Sequence, residues 1–203
     1  MIRKGEAWGE VGRPLPPHGV VVRSDAEARA VVTDARRSGR PVPPLGLLGG
    51  DLCRTLGGRG DEARLRSQSA ATFPCDLGAA MLDGRLHWFV AHLVARGPWW
   101  RGRAFVAMNA AWIGGWNVGP RAHPGDGLLD AYDARVPLVE VLKVRARLPT
   151  GSHLPHPAIT GTRRPATQVR LERPLTVRLD GEVVGRARDL SLRVEPDALT
   201  VVV

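Results

Sequence analysis

The stretch Leu175-Thr176-Val177-Arg178-Leu179-Asp180-Gly181-Glu182 alternates apolar and polar residues and then reaches an Asp-Gly pair. Such alternation is typical of a β-strand that buries one face and exposes the other to solvent. An Asp-Gly pair favours a tight hairpin turn, because glycine tolerates positive φ and aspartate caps its own backbone. The alternation returns in Leu190-Ser191-Leu192-Arg193-Val194. These segments predict antiparallel strands in a sheet with one solvated face.

Other segments of the C-terminal part also predict strands, since they are short, apolar and bounded by turn residues. Asp83-Gly84 is a second hairpin signal, and Ala198 to Val203 predicts a final strand that closes the sheet. Residues 71–203 are therefore predicted to form a β-sandwich. The other predicted strands are Phe73 to Leu77, Leu86 to Val94, Phe105 to Asn109, Leu138 to Leu148 and Gln168 to Leu171.

The N-terminal part predicts a small βαβ unit. Val20-Val21-Val22 predicts a buried strand, a helix is predicted from Ala26 to about Arg37, and Leu45-Gly46-Leu47-Leu48 predicts a second strand. Strand, helix and strand in this order normally make a parallel, right-handed crossover. We therefore predict an α+β chain, in which residues 1–70 form a reduced α/β segment and residues 71–203 form the β-sandwich.

Composition and charge are those of a globular protein that favours anionic partners. Of the 203 residues, 43% are hydrophobic and 24% are charged, and the formal net charge is +9. This charge favours nucleotides, acidic lipid headgroups or nucleic acid, although a genome rich in Arg codons would give the same composition. The basic runs Arg145 to Arg147 and Arg163-Arg164 have no nucleic-acid-reading motif beside them, so no nucleic-acid partner is expected.

Cys53 and Cys75 form no C-x-x-C pair, which disfavours a zinc site.

Several features bear on the cellular location. Met1-Ile2-Arg3-Lys4 does not lead into an apolar run, so no signal peptide is predicted. No apolar run approaches the ~20 residues that a membrane span needs. A cytoplasmic protein is expected, with any membrane contact made from the surface. Trp99-Trp100, close to Arg96, suits either an interfacial membrane contact or the core.

Three glycine-rich acidic stretches are candidates for ligand chemistry. His123-Pro124-Gly125-Asp126-Gly127-Leu128-Leu129-Asp130 sets carboxylates beside glycines, as Asp180-Gly181-Glu182 does. Such stretches either form tight turns only or place acidic oxygens around a hard cation. Gly49-Gly50-Asp51 precedes a predicted short helix, and it is either a plain turn or a phosphate cradle. The residues alone leave these alternatives open.

Five segments of the chain resemble sequence motifs of a known protein family and occur in the same order. They are Leu45 to Gly57 (LGLLGGDLCRTLG), Cys75 to Gly78, His123 to Asp130, His153 to Pro157 and Leu179 to Glu182. In that order they resemble LGIIPGGTGNDLARTLG, xDLG, NPGDGLLD, HVxHP and xDGE of the bacterial diacylglycerol kinase and sphingosine kinase-like lipid kinases. The resemblance implies an α/β nucleotide domain followed by a β-sandwich of the diacylglycerol kinase type, with the active site between them.

The resemblance also implies an activity and its residues. The activity is ATP-dependent phosphorylation of a lipid hydroxyl, such as that of diacylglycerol, at a membrane surface with Mg²⁺. Asp180 matches the carboxylate proposed as general base, and Glu182 matches its acidic neighbour near the magnesium. Asp76 matches an acidic residue of a metal and water network at the domain interface. A structural metal would bind the Asp126 carboxylate and the main-chain oxygens of His123 and Leu128.

The nucleotide half departs from the family pattern. Where the family has GGDGT, this chain has Arg23-Ser24-Asp25-Ala26-Glu27, which keeps the aspartate and loses the glycines. Those glycines let the backbone approach the triphosphate. PGGTGND is shortened to Gly49-Gly50-Asp51, and an early NPxSG is absent. Nucleotide contacts would therefore rest on Asp25, Gly49, Gly50 and Asp51.

Three alternatives stay open on these residues. A divergent kinase could bind nucleotide by another route, using Arg23, Arg54 or Arg59. A kinase-fold protein without catalysis could bind a lipid or a partner protein through its sandwich. A separate polypeptide could supply the missing part, and a homodimer that pairs across the eroded α/β edge is a related expectation.

Overall fold

The computed structural model describes residues 7–98 and 102–203. The fold is α+β, with an α/β unit of short elements followed by a β-sandwich, as the sequence predicts. The membrane-contact hypothesis at Trp99 and Trp100 falls outside the described residues. Within the two described ranges, no helix has both the length and the apolar character that crossing a membrane requires.

The N-terminal unit begins with a two-residue strand, β1 (Glu10–Val11), and is built around two parallel strands. β2 (Val20–Val22) is followed by helix α1 (Asp25–Arg37) and by β3 (Leu45–Leu47), which pairs in parallel with β2. The predicted βαβ unit is thus confirmed. The hydroxyl of Ser24 accepts the amide of Glu27 and so caps the start of α1. Two short helices follow, α2 (Asp51–Thr55) and α3 (Glu62–Leu65).

The C-terminal part is mostly β, and its two Asp-Gly pairs form hairpin turns. Asp83 and Asp180 have φ of 44° and 51°, in the left-handed region that such turns require. The elements are β4 (Ala71–Leu82), β5 (Arg85–Phe89), β6 (His92–Arg96), β7 (Ala104–Met108), β8 (Trp112–Ile113), β9 (Trp116–Asn117), β10 (Leu129–Ala134), α4 (Leu138–Arg147), a 3-10 helix (Leu148–Thr150), β11 (Ile159–Arg164), β12 (Ala166–Leu179) and β13 (Glu182–Val202).

Strand β13 joins the two parts of the chain. It lies antiparallel to β12 and β4 for most of its length, and its end pairs in parallel with β3, where Val201 faces Leu45. A register shift between Glu195 and Leu199 marks the irregularity where it changes partners. Hydrogen bonds therefore run through β1-β4-β13-β12-β6-β7-β10-β11, with β3 and β2 attached through β13 and β5 attached to β4.

Two apolar cores lie on either side of this junction. One fills the sandwich around Phe89, Leu179 and Leu192, and the other lies under α1, around Val32 and Leu77. All five side chains are buried. Full burial of such a side chain stabilises the fold by roughly 1.5–3 kcal/mol. The boundary between the two cores is where the candidate site lies.

One predicted strand is wrong. Leu138 to Leu148 forms helix α4 and the start of the 3-10 helix, and none of the α4 residues is buried. A short apolar run does not distinguish strand from helix by its pattern alone, and a helix satisfies its backbone hydrogen bonds without a neighbouring strand.

The observed strands differ from the predicted ones in two further respects. The predicted strand Leu86 to Val94 is interrupted at Val90 and Ala91, because these amides bond to the carboxylate of Asp180 instead of to another strand. Strands β10 and β11 are not among the predicted strands, since charged and apolar residues do not alternate regularly in them.

Candidate functional site

The turn after β12 directs the carboxylate of Asp180 into the boundary between the two cores. Its Oδ1 accepts the amides of Ala91 at 2.9 Å and His92 at 3.1 Å, and its Oδ2 accepts the amide of Val90 at 3.0 Å. The side chain is fully enclosed. Burial raises the pKa of Asp180, against the opposing effects of His92 and of the three amides. Asp180 is therefore a buried, oriented carboxylate.

Arg29 of α1 brings a guanidinium group to this carboxylate. Its Nε lies 3.8 Å from Asp180 Oδ2, and one of its terminal nitrogens donates to Glu182. The Arg29 side chain is 15% exposed, whereas that of Glu182 is 62% exposed. The Nε of Arg29 is buried and has no hydrogen-bond partner among the described residues. A buried donor left unpaired beside a carboxylate requires an explanation, and a functional role is one.

Asp25, the aspartate kept in the altered nucleotide loop, caps helix α2. Its Oδ2 accepts the amide of Asp51 at 2.5 Å, and its Oδ1 accepts the amide of Leu52 at 3.1 Å. These amides belong to the segment that the sequence offers as a phosphate cradle, and a carboxylate of the chain itself now accepts them. Burial, followed by the negative charge of Asp180, raises the pKa of Asp25 to about 6.

The two glycines before α2 allow this close approach within the chain. A Cβ at Gly50 would lie 2.5 Å from Asp25 Oδ1, and a Cβ at Gly49 would lie 2.5 Å from the carbonyl oxygen of Arg23. Gly50 also has φ of 96°, which a residue with a side chain rarely adopts. Both glycines are therefore explained by contacts that the chain makes with itself.

Asp51 and His92 extend the cluster. Asp51 Oδ2 lies 2.9 Å from His92 Nε2, and Asp51 Oδ1 accepts the amide of Gly114 at 2.8 Å. Burial alone would lower the pKa of His92, but the hydrogen bond to Asp51 and the charges of Asp180, Asp51 and Asp25 outweigh it, so this pKa is raised. The Nδ1 of His92 is buried without a hydrogen-bond partner among the described residues.

These contacts define one charged interface cluster between the α/β unit and the sandwich. Four members, Asp25, Asp51, Asp180 and Glu182, are residues that the sequence proposes for nucleotide binding or catalysis. The other two are absent from those proposals. Arg29 lies four residues after Asp25 on α1, a spacing that gives a weak signal of proximity. His92 gives no signal, because it lies in an apolar strand. The cluster is Asp25, Arg29, Asp51, His92, Asp180 and Glu182.

The acidic stretch 123–130 forms a second site, next to Asp76. The carboxylate of Asp76 accepts the amides of Gly127 at 2.7 Å and Asp197 at 3.0 Å. Asp126 Oδ1 accepts the amide of Leu128 at 2.9 Å, as an Asx turn does. The structure thus brings Asp76 to the Asp126 turn, and no hydrogen bond between described residues joins its carboxylate to the charged interface cluster.

A guanidinium group pairs with the carboxylate to which the resemblance assigns a metal. Arg163 of β11 pairs with Asp126, and its Nε lies 3.6 Å from Asp130 Oδ2. Burial raises the pKa of Asp130 to about 6, although the charge of Arg163 opposes this. The ring of His123 also takes part in this turn, since its Nδ1 accepts the amide of Gly125 at 3.2 Å, whereas the resemblance concerns the main-chain oxygen of this residue.

Both oxygens of Asp126 have partners within the chain, the amide of Leu128 and the guanidinium group of Arg163. Throughout residues 7–98 and 102–203, no group of three or more His, Cys, Asp or Glu side chains is arranged to hold a metal. The metal roles of Asp126, His123, Leu128 and Asp76 stay predictions, and we assign no chemical step to a metal at this turn.

Asn109 connects the two sites through the main chain. Its fully buried amide nitrogen donates to the carbonyl oxygens of Asp76 at 2.9 Å and Val90 at 2.8 Å. Val90 in turn donates its amide to Asp180. Asn109 thus bridges the main chain of Asp76 and that of Val90, which contacts Asp180.

Two of the arginines considered for an alternative nucleotide route have partners within the chain. Arg54 stacks over the ring of Trp112 at 3.6 Å and donates to the carbonyl oxygen of Gly114 at 2.9 Å. Arg23 lies 3.8 Å from a carboxylate oxygen of Glu62. Arg59 is exposed. These positions lend no support to a ready-made triphosphate site.

The fold is thus an α/β unit joined to a β-sandwich, with ionisable residues at the boundary. The model of the YegS C-terminal NAD kinase beta sandwich-like domain matches residues 78–203, more than half of the chain. The chain belongs to this family, which agrees with the lipid kinase resemblance of its sequence.

Solved structures of diacylglycerol kinase-type proteins resemble the whole fold. A protein assigned as a diacylglycerol kinase from Bacillus anthracis strain Sterne aligns with a TM-score of 0.69 and 14% identity, covering 91% of this chain and 77% of that one. Another diacylglycerol kinase structure from the same strain gives 0.58 and 14%, covering 79% and 66%. At this identity the likeness shows the fold alone. No curated protein matches the chain in sequence.

Proposed function

We propose that this chain is a lipid kinase-like enzyme that transfers the γ-phosphoryl group of ATP to a lipid hydroxyl, such as that of diacylglycerol. The hydroxyl oxygen would bond to the γ-phosphorus, the bond from that phosphorus to the bridging oxygen would break, and ADP would leave. Asp180 would take the hydroxyl proton. ATP would enter as its magnesium complex. Such chemistry asks the protein mainly for positioning and charge stabilisation.

The charged interface cluster is the observation that carries this proposal. Asp25, Asp51 and Asp180 are brought together with His92 and Arg29, although they come from separate parts of the sequence. Burying charges is costly, and apolar residues in their place are often no less stable, so a stability role explains such a cluster poorly. Perturbed pKa values in a boundary between two structural units are typical of functional sites. An arginine suits the charge of a transferred phosphoryl group.

Helix α4 supports a location at a membrane surface. Leu138, Val139 and Leu142 are 61%, 83% and 75% exposed, and the basic residues Lys143 and Arg145 follow on the same helix. Helices that lie in the membrane interface combine exposed apolar side chains with basic ones. A peripheral membrane position would bring a lipid hydroxyl to the protein without a transmembrane segment.

A second candidate function is a non-catalytic module that binds lipid or protein on the same fold. The observation in its favour is that Asp25 accepts the first amides of α2, while Asp180 is enclosed by three amides and Arg29. In this arrangement neither a phosphate nor a lipid hydroxyl reaches those groups. The two candidates therefore differ in whether MgATP opens the cluster.

The test is calorimetric titration with MgATP, followed by a transfer assay with diacylglycerol in mixed micelles. The informative variant is Glu182→Gln, because Glu182 pairs with Arg29 at the rim of the cluster and is largely exposed, so folding is spared. The matched control is Glu172→Gln, which removes a surface carboxylate paired with Arg135 at 2.7 Å. We expect transfer to fall about tenfold, or ~1.4 kcal/mol, in Glu182→Gln and to be unchanged in Glu172→Gln.

Each outcome decides between the candidates. Saturable MgATP binding with transfer that depends on Glu182 supports the kinase. Absence of MgATP binding and of transfer, in protein shown to be folded, overturns the kinase and leaves the non-catalytic module. Equal loss in both variants would also count against the cluster as the active site.

A further inference from the structure

A cavity outside the charged interface cluster is lined by arginines. We propose that this four-arginine pocket, formed by Arg96, Arg173, Arg178 and Arg186, binds a phosphate group. It is open to solvent, measures about 650 Å³ and is bordered by residues of β6, β12 and β13. A volume of this size suits a small ligand or a headgroup. Neither the proposed phosphoryl transfer nor the family motifs involve these residues.

Strand register brings the arginines together. Thr176 of β12 lies directly between Arg96 of β6 and Arg186 of β13, so that these three residues form one row across the sheet. Arg178 lies two residues further along β12 and so shares a face with Thr176. Arg96 and Arg186 thus lie two strands apart, roughly 10 Å, a gap that two long side chains can close around one anion.

Main-chain contacts hold these guanidinium groups in place. Arg178 donates to the carbonyl oxygen of Gly181 at 3.0 Å, and Arg186 donates to that of Pro174 at 2.9 Å. Arg96 donates to the carbonyl oxygen of Gly97 at 3.4 Å. A guanidinium group has five N–H donors, so a contact of this kind orients it and leaves further donors for a ligand.

The charge at the pocket is one-sided. None of the described residues that line it is Asp or Glu. Burial and the charge of Arg178 lower the pKa of Arg96, as close packing of two cations does. Arg103, by contrast, pairs with the carboxylate of Asp133. Like charges packed together are destabilising, and a bound anion would offset that cost.

Phosphate is the anion that the chemistry favours. The planar guanidinium group matches phosphate oxygens with paired hydrogen bonds, and the Thr176 hydroxyl can donate a further one. The phosphate could belong to a membrane headgroup or to a soluble molecule. The position favours the headgroup, because the pocket lies near the start of α4, the helix proposed to contact the membrane. Arg96 pairs with Ala104, and Ala104 pairs with Ala134 at the end of β10. Helix α4 begins four residues after Ala134.

The pocket touches the turn of the charged interface cluster at Arg178, which donates to Gly181, but its opposite end lies away from the cluster. Along β6 it is four residues from His92 to Arg96, about 13 Å in an extended strand. Binding there does not require ATP to bind. Failure of the kinase proposal would therefore leave this inference standing, and the reverse also holds.

The test compares the full chain with the double variant Arg178→Gln/Arg186→Gln and with Arg66→Gln/Arg164→Gln, a control that loses the same charge at exposed positions away from the pocket. One arm measures binding to vesicles of phosphatidylcholine alone and of equimolar phosphatidylcholine and phosphatidylglycerol. The other arm titrates inorganic phosphate by calorimetry. Because two arginines near the membrane surface are lost, binding to anionic vesicles should fall roughly thirtyfold in the pocket variant and much less in the control.

The two arms identify the source of the phosphate. Loss of vesicle binding specific to the pocket variant, without phosphate heat, identifies a headgroup site. Phosphate heat that the pocket variant loses identifies a soluble ligand. No binding in either arm, or equal losses in both double variants, overturns the proposal. Circular dichroism confirms folding, and Arg173→Gln serves as a milder variant if the double variant is unfolded.

Discussion

The carboxylate of Asp25 accepts the main-chain amide of Asp51 at 2.5 Å, so the chain itself occupies the first amide of α2. In a protein that binds a triphosphate near this helix, that amide would be open to the ligand. Gly50 is the residue that permits the contact, because any side chain there would meet the Asp25 carboxylate. Substitutions at this glycine therefore report how much the contact contributes to folding.

We expect Gly50→Ala to destabilise the protein more than Gly57→Ala. Both glycines have positive φ, of 96° and 75°, so both variants incur backbone strain of about 1 kcal/mol or more, and the ψ of 172° at Gly50 lies in a region that is essentially restricted to glycine. Only Gly50→Ala adds a clash, with Asp25 Oδ1 at 2.5 Å, whereas nothing lies within 4 Å of a Cβ at Gly57. Chemical denaturation of the two variants measures the difference. Equal loss would show that Asp25 moves away at little cost.

Asp180→Asn should lower both stability and phosphoryl transfer. The asparagine nitrogen cannot accept the amide of Val90, and a buried donor without an acceptor costs about 1–3 kcal/mol. The matched control is Asp83→Asn, since Asp83 begins the other Asp-Gly turn and accepts the amides of Arg188 and Asp189 at the surface. That control should keep transfer. Undiminished transfer in a folded Asp180→Asn protein would rule out Asp180 as the base.

Asp130 should make stability fall as the pH rises. Its pKa is about 6 in the folded protein against 3.8 for the free group, so the folded state binds more protons within that window. Ionisation across the window then weakens the fold. Asp130→Asn should remove this pH dependence. From pH 3.8 to about pH 6, the free energy of unfolding of the variant should therefore rise by about 1–2 kcal/mol relative to that of the parent, after allowance for solvent screening. Urea unfolding across the window measures it, and a constant difference would contradict it.

Stability should not depend on divalent metal. Arg163 already supplies a positive charge to Asp126 and Asp130, so EDTA should leave the unfolding temperature unchanged. Arg163→Ala should lose about 1–2 kcal/mol, less than a fully buried pair because the side chain is 39% exposed. Added Mg²⁺ or Ca²⁺ should restore part of that loss, and the exposed control Arg164→Ala should show neither effect. Destabilisation of the parent by EDTA would indicate a metal at the turn.

Vesicle binding should depend on the apolar side chains of α4. Val139→Glu places a charge on the helix, while Val11→Glu places one on a valine that is equally exposed, at 82% against 83%. We expect about tenfold weaker binding for Val139→Glu and little change for Val11→Glu beyond the shared charge effect. Co-sedimentation with anionic vesicles measures both. Equal binding by the two variants would exclude α4 from the membrane contact.

Some features of this protein follow from local pattern. Alternation in Leu175 to Leu179 and the two Asp-Gly pairs predict strands and hairpins, because the two-residue period and the left-handed turn are properties of short segments. The βαβ order of Val20 to Leu47 likewise predicts a parallel crossover. The run from Leu138 to Leu148 is where local pattern fails, since an apolar run of that length suits either strand or helix until its neighbours are known.

Sequence alone determined the fold class, the family resemblance and four carboxylates of the cluster, because motifs keep residue type and order. Only the tertiary structure decided that Arg29 and His92 join them, that Asp25 accepts the amides of Asp51 and Leu52 in α2, and that Arg163 pairs with Asp126. It also decided that Arg96, Thr176 and Arg186 form one row. These contacts join residues far apart in the chain, and strand register and helix packing, rather than any local pattern, set the distances between them.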